Sequence, residues 1–302
     1  MKIYDVVIIG GGVCGMTSAI YAARANLTVC ILEKEVCGGL VNYTNVVENY
    51  PSYPSIHGME LMEKVREHVE GLNVKIFEID AVDQVDFIGE VKRIHTAGGE
   101  EYQTRSVIVA TGRKPRLLPV ETDFENVHYC SVCDGTAYKG KRVIVVGGGN
   151  SGFDESLYLI QLGVEQIHIV EALPSCIAAA STQALAKETG KLSVSTSTKI
   201  VSVTPLPDGR GLVELEGPAG TTREEVDGIF CFIGQTPNTD VFQAILELEN
   251  GYIVTNRDME TNIPGVFAAG DVTAKKFRQI TTAMGDATVA ALQAEYYLRE
   301  KK

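Results

Sequence analysis

The sequence predicts an α/β fold of two Rossmann-like dinucleotide-binding domains, the second inserted into the first. Two observations carry this. A glycine fingerprint occurs twice, as Gly10-x-Gly12-x-x-Gly15 and as Gly147-x-Gly149-x-x-Gly152, each between an apolar strand pattern and a helix pattern. Each unit then closes on an apolar strand ending in glycine, Gly112 or Gly234, while the C-terminal stretch carries no third fingerprint. That stretch therefore completes the first unit, with residues 1–114 and 237–302 forming one domain and 115–236 the insert.

The opening "YDVVIIGGGVCGMTSAIYAARANLTVCILEKE" reads as strand, glycine turn, helix, strand and acid. The first glycine permits a tight turn, the second lets the backbone approach a pyrophosphate, and the third lets helix pack on strand. Ala19, Ala22 and Ala23 give the helix a small face. A pyrophosphate would rest on the N–H groups at the helix start. Glu33, 18 residues past Gly15, can accept a hydrogen bond from a ribose 2′-OH. Strands around "DFIGE" and the run "SVIVATG" follow.

After "RKPRLLP", a proline-bearing linker candidate, comes "YCSVCDG". "KRVIVVGGGNSGFDESLYLIQLGVEQIHIVE" then repeats the opening pattern, with Glu171 placed 19 residues past Gly152. "LPDGRG" marks a hairpin turn, "GIFCFIG" the closing strand, and "QTPNTD" the second linker. The C-terminal stretch supplies a short strand in "GVFAAGD" and a long helix from about Arg278.

Net charge is −12 and the cations are scattered, with no basic stripe, which argues against nucleic acid as a partner. No apolar run approaches the ~20 residues of a membrane span. The N-terminal apolar run breaks into glycines without a cleavage site, so it reads as a strand of a cytoplasmic protein rather than a signal peptide. The cysteines number seven, and only Cys130 and Cys133 are closely spaced, unlike a secreted disulfide framework. A structural zinc site needs four ligands, and no second Cys/His pair has zinc spacing, so no metal is expected. Cys14 and Cys37 fall where a pyrophosphate would lie but read as small apolar filler, Cys231 as core and Cys176 as packing. His57, His68, His95 and His128 lack partner spacing and are given no role.

The pieces "GGGVCG", "YAARAN", "VENYP", "ATGRKPR", "CSVCDG", "GGGNSG", "GQTPNT", "IPGVFAAGDV" and "RQ" occur in an order that spans nearly the whole chain. In these the chain resembles the low-molecular-weight thioredoxin reductases. The resemblance implies an FAD domain in which Gly10, Gly12 and Gly15 take the pyrophosphate, Glu33 the adenosine ribose, and Gly112 closes the unit. It places Asn49 beside the isoalloxazine, Asp271 on the ribityl chain, and Arg278 and Gln279 at the flavin, where a helix N-terminus favours negative charge on a reduced ring. Two positions depart from the family pattern: Leu40 replaces a Gln after "CGG", and Asn45 replaces a Thr of the flavin pocket. The family also implies a homodimer.

The resemblance further implies that reduced FAD passes two electrons to a Cys130–Cys133 disulfide. One thiolate then attacks a disulfide of thioredoxin or a thioredoxin-like protein, and the other cysteine resolves the mixed disulfide. Either cysteine could face the flavin, with Cys133 preferred. Asp134 serves as acid or base, a turn aspartate being its structural alternative. The family alternates its dithiol between flavin and partner by rotating the inserted domain about the two crossings, near 113–118 and 235–238 here.

One departure bears on the electron donor. Members using NADPH carry arginines just past the second strand of the insert, to hold the 2′-phosphate. This chain reads "IHIVEALPSCIAAAST", with His168 inside the strand and Lys187 as the next cation past Glu171. A carboxylate about 4 Å from a phosphate is repelled by roughly 4 kcal/mol at an effective dielectric of 20, or about three decades of affinity. NADPH is disfavoured. Gly147, Gly149, Gly152 and Glu171 suit NADH or a second FAD, and an unused second site would leave ferredoxin as the donor. Two other functions remain open: the reductase of a peroxide-detoxifying system, or a flavin redox sensor whose second domain does not turn over. The chain shows no thioredoxin-like extension before its first strand, which weighs against a self-contained peroxide system.

Overall fold

A computed structural model describes residues 2–44 and 46–301; Asn45, one of the two departures in the flavin pocket, lies outside the described residues. The chain divides into two compact units, residues 1–114 with 236–302, and residues 115–235. The second boundary falls one residue before the position expected from the sequence.

In the first unit the fingerprint strand Ile3–Ile9 lies between Val29–Leu32 and Glu101–Val109, parallel to both. Lys75–Phe77 extends the sheet beyond Val29–Leu32, also in parallel. On its other edge the strand Glu101–Val109 serves two partners: its first half pairs antiparallel with Lys92–Thr96, and its last three residues pair parallel with Val266–Ala268. The C-terminal stretch thus adds a strand to the sheet begun at the N-terminus. Both faces of the sheet are covered, so Ile3–Ile9 reads as a nearly unbroken apolar run rather than an alternating one.

The helix Val13–Arg24 packs against the last helix, Ile280–Glu300. Small residues make this close approach possible: Ser18, Ala19 and Ala22 on one side, Ala287, Ala290, Ala291 and Ala294 on the other, all fully or almost fully buried. Ser18 Oγ donates to the Ala287 carbonyl at 3.2 Å, so this buried hydroxyl is satisfied. The last helix begins at Ile280, two residues later than expected, because Gln279 is its N-cap. The Gln279 side chain accepts from the Thr282 amide, and Thr282 Oγ1 accepts the Gln279 amide at 3.0 Å, a capping box.

The second unit repeats the first in miniature. Its five strands run parallel in the order Val127–His128, Gly228–Cys231, Arg142–Val146, Gln166–Val170, Leu192–Ser195. The fingerprint strand Arg142–Val146 again sits between the closing strand and the strand that carries the acid. A three-stranded antiparallel sheet, Lys199–Pro205, Gly211–Gly217 and Gly220–Val226, accompanies it. The two stretches expected as linkers contain short strands, Arg113–Pro115 and Gln235–Pro237, which pair with each other. Local composition marks the prolines but not this pairing, which joins segments more than a hundred residues apart.

Candidate active site

In the first unit, strand and helix meet at the glycine turn. Gly10 has φ +108°, and a Cβ there would fall on the Ala110 carbonyl. A Cβ at Gly15 would fall on the Gly10 carbonyl, whereas one at Gly12 meets nothing nearer than Gly39 Cα at 3.9 Å. Gly12 is the N-cap of Val13–Arg24 with no side chain capping it, so the first helical N–H groups face open space. Glu33, only 8% exposed, accepts from the Gly11 amide at 2.6 Å and from the Glu35 amide at 2.9 Å. Cys37 Sγ occupies the space a Cβ on Gly11 would take, and burial, followed by Glu78 and Glu33, pushes its thiol up to about 12. Gly112 has φ +62° with open space around it, and its carbonyl accepts the Asn238 amide at 3.0 Å.

The other residues expected at a flavin gather in the same unit. Asn49 Nδ2 donates to Gln279 Oε1 at 3.1 Å. Asp271, in the 3₁₀ turn Gly270–Val272, accepts from Arg113 Nη2 at 3.1 Å. Arg278 stacks on Tyr252 at 4.2 Å and donates to the Thr273 carbonyl at 3.3 Å. Asp271 Oδ1, Arg278 Nε and Arg113 Nε are buried without hydrogen-bond partners. Leaving such groups unpaired is costly. An uncapped helix start, a glycine floor and three orphaned polar atoms fit FAD. Leu40, on the 3₁₀ turn Gly39–Tyr43, brings no hydrogen-bonding group where the family has Gln.

The second unit repeats this cradle closely. Gly147 has φ +113°, a Cβ at Gly152 would fall on the Gly147 carbonyl, and Gly149 is the uncapped N-cap of Asn150–Gln161. Glu171, also 8% exposed, accepts from the Gly148 amide at 2.6 Å and the Leu173 amide at 2.8 Å. Cys176 Sγ takes the Cβ space of Gly148, as Cys37 does for Gly11. One difference stands out. Where the first cradle has Gly39 beside Gly12, the second has Ile177, whose Cγ1 lies 3.9 Å from a Cβ position on Gly149. The Ile177 and Ala178 amides both donate to the Gly148 carbonyl, at 3.0 and 3.3 Å, which pins the segment there.

Among the described residues no cation pairs with Glu171. His168 is engaged elsewhere, by Glu224 and by Ser195 Oγ, both at 2.8 Å. A groove of about 760 Å³ lined by Arg142, Lys191, Arg210 and Asp227 lies at the opposite, N-terminal ends of these strands.

Between the two fingerprints in sequence, the short strand Val127–His128 leads into a one-turn helix, Ser131–Asp134. Cys130 is its N-cap and is joined by a disulfide to Cys133, with Cα atoms 5.4 Å apart. The Cys133 amide donates to Cys130 Sγ at 3.0 Å. A Cβ on Gly135 would strike Leu159 and Leu162, so the "CDG" glycine lets the turn lie on the fingerprint helix. The partly exposed Asp134 carboxylate lies 3.2 Å from His128 Nδ1, and His128 Nε2 lies 2.5 Å from the buried Tyr138 hydroxyl. Sequence reasoning passed over both partners, because a strand residue and a turn residue six and four positions away show no helical or strand period. Among the described residues no group of three or more His, Cys, Asp or Glu could hold a metal ion, and no helix is long and apolar enough to cross a membrane.

Comparison with known proteins agrees with this geometry. Residues 4–287 match the family model described as pyridine nucleotide-disulphide oxidoreductase. The chain is 37% identical over 306 residues to the thioredoxin reductase of Bacillus subtilis, covering 99% of this chain and 96% of that one. It is equally 37% identical, over 314 residues and 99% of both chains, to a "34.2 kDa protein in rubredoxin operon" of Clostridium pasteurianum. The crystal structure of Lactococcus lactis thioredoxin reductase matches with a TM-score of 0.91 at 36% identity, over 98% of this chain and 99% of that one. The protein therefore belongs to the pyridine nucleotide-disulphide oxidoreductase family and is a thioredoxin-reductase-like flavoprotein disulfide oxidoreductase.

Proposed function

We propose that this enzyme passes electrons from reduced FAD through Cys130 and Cys133 to thioredoxin or a thioredoxin-like protein in the cytoplasm, and that its electron donor is not NADPH. The carrying observation is Glu171: a buried carboxylate with both oxygens on backbone amides, no cation paired with it, and the same geometry as Glu33. Such a site accepts a free ribose 2′-OH and repels a 2′-phosphate.

FAD, when bound, supplies two electrons to the Cys130–Cys133 disulfide. Gly10, Gly12, Gly15 and Glu33 would hold its adenosine diphosphate half, with Gly112 at the end of the closing strand. Asn49, Asp271, Arg278 and Gln279 would hold the rest. The Cys130 thiolate attacks the partner disulfide and Cys133 resolves the mixed disulfide. Asp134 takes the proton from the resolving thiol and returns one to the leaving sulfur.

Two observations favour different donors. The match of Gly147, Gly149, Gly152 and Glu171 to the FAD cradle favours NADH or a second FAD at the second site. Ile177, a bulkier residue standing where the FAD cradle has glycine, favours a one-electron protein such as ferredoxin. The test is the flavin released on denaturation, with anaerobic bleaching of the rest. An FAD-to-chain ratio near two selects the second flavin. A ratio near one with bleaching by NADH selects NADH, and near one with bleaching by reduced ferredoxin alone selects ferredoxin. NADPH bleaching the flavin as fast as any of these would sink the reading. We further expect a homodimer by family resemblance, to be read from the mass in solution.

A further inference from the structure

The dithiol segment carries a chain of close polar contacts that the mechanism above does not use. His128 ends the strand Val127–His128 and pairs in register with Phe230, on whose ring its imidazole lies at 5.1 Å. Tyr138 meets both rings edge-on, at 5.2 Å to His128 and 5.3 Å to Phe230. Tyr138 is 3% exposed, and Gly228 leaves it room, since a Cβ there would fall on its ring. The imidazole is therefore wedged in place. One nitrogen meets the Tyr138 hydroxyl and the other meets Asp134 Oδ2. The charged groups around this cluster are Asp134, Asp227, which also bears on Tyr138, and Lys141, whose ammonium lies 5.1 Å from the Tyr138 ring. Burial first, then Asp134 and Asp227, pushes the Tyr138 hydroxyl up to about 12, so it stays a donor at working pH.

We propose that His128 is a positioning residue for Asp134, held in one tautomer by Tyr138. The Tyr138 hydroxyl donates to Nε2, so the ring proton stays on Nδ1, which faces the Asp134 carboxylate 3.2 Å away. This inference rests on the acid–base role given to Asp134 above. The proton balance is closed. Asp134 receives a proton from the Cys133 thiol as its thiolate attacks the mixed disulfide, the Cys130–partner bond breaks, and the leaving partner thiolate takes that proton. Counted from the Cys130 thiolate and the Cys133 thiol, the dithiol loses two electrons and one proton; the partner sulfur released first leaves as a thiolate that takes its proton from solvent, and Asp134 ends as it began. Through this cycle His128 keeps the carboxyl oriented.

The test uses prereduced holoenzyme and a thioredoxin disulfide, following dithiol oxidation in a single turnover at pH 7. Oxidation should slow several-fold in His128→Ala, by less in Tyr138→Phe, and most in Asp134→Asn. The double variant His128→Ala/Asp134→Asn should be no slower than Asp134→Asn within about twofold, since His128 acts only through Asp134. An unslowed His128→Ala, or losses that multiply in the double variant, overturns the proposal. A tautomer measurement needs no turnover, so it stands even if the reductase reading fails. Imidazole ¹⁵N shifts of the intact oxidised protein should show Nδ1 protonated and Nε2 bare, with a mixture of tautomers in Tyr138→Phe. The opposite tautomer in the unsubstituted protein overturns the proposal whatever the enzyme reduces. If instead the tautomer is as stated but the prereduced protein oxidises with no thioredoxin, the functional reading alone has failed.

Discussion

Gly12 and Gly15 lack a side chain for opposite reasons. At Gly15 a Cβ would fall on the Gly10 carbonyl; at Gly12 it would point into open space at the helix start. Gly15→Ala should therefore overpack the strand–helix contact and destabilise by about 1–3 kcal/mol in urea titrations. Gly12→Ala should leave the apo stability nearly unchanged and instead lower the flavin retained on purification. Equal stability losses at the two positions would contradict this division of roles. The cysteines divide similarly. Burial pushes Cys30 up to about 12 and Cys231 to about 11, and raises Cys14 well beyond the ordinary thiol range. A thiol raised in the folded state binds its proton more tightly there, so it stabilises below the unfolded thiol pKa and loses that contribution as pH rises through the folded value. At pH 8 native alkylation after mild reduction should label Cys130 and Cys133 and spare Cys14, Cys30 and Cys231, as peptide mass mapping would show. Labelling of Cys14 at a comparable rate would mean that its seam opens. The glycine roles and the dithiol were readable from spacing. The His128–Asp134–Tyr138 chain was not, because its members meet only after a strand, a turn and a 3₁₀ segment fold back on one another.

At the scale of elements, the last helix shows what local pattern can and cannot locate. Its apolar face and length were legible, but its start was misplaced at about Arg278. Periodicity does not see the reciprocal bonds of Gln279 and Thr282 that end the non-helical backbone. Thr282→Val removes the hydroxyl that accepts the Gln279 amide and should cost about 1 kcal/mol in thermal or urea unfolding. It should also loosen the Asn49–Gln279 contact, and with it the flavin's spectrum. A spectral change without a stability change would mean that Thr282 acts on the flavin directly. The strands Arg113–Pro115 and Gln235–Pro237 were read as linkers for a related reason. Each is too short and too proline-rich to signal a strand, and its partner is distant in sequence.

At the scale of the molecule, each unit owns its core. One set of buried residues, including Val6, Ile31, Met16 and Ala290, fills the first unit, and another, including Ile144, Val170, Val213 and Phe230, fills the second. The ends of the insert also meet, since the Arg116 amide donates to the Gly234 carbonyl at 3.0 Å. Residues 115–235 expressed alone should accordingly unfold in one cooperative urea transition, with a slope of about 1–3 kcal/mol per molar. A broad, non-cooperative melt would show that the insert depends on the first unit.

The sequence by itself determined the two dinucleotide units, their nesting, the closely spaced Cys130–Cys133 pair and the lack of a cation between Glu171 and Lys187, because each is written in local spacing: glycine intervals, strand–helix–strand order, a CxxC, and the residues after one strand. Tertiary structure decided the rest. It alone showed that the second cradle copies the first down to the sulfur packed on the middle glycine, that Ile177 stands where the first cradle has Gly39, and that His128 lies between Asp134 and Tyr138. Those are contacts between segments whose approach is set by sheet pairing and core packing, which no period within a window records.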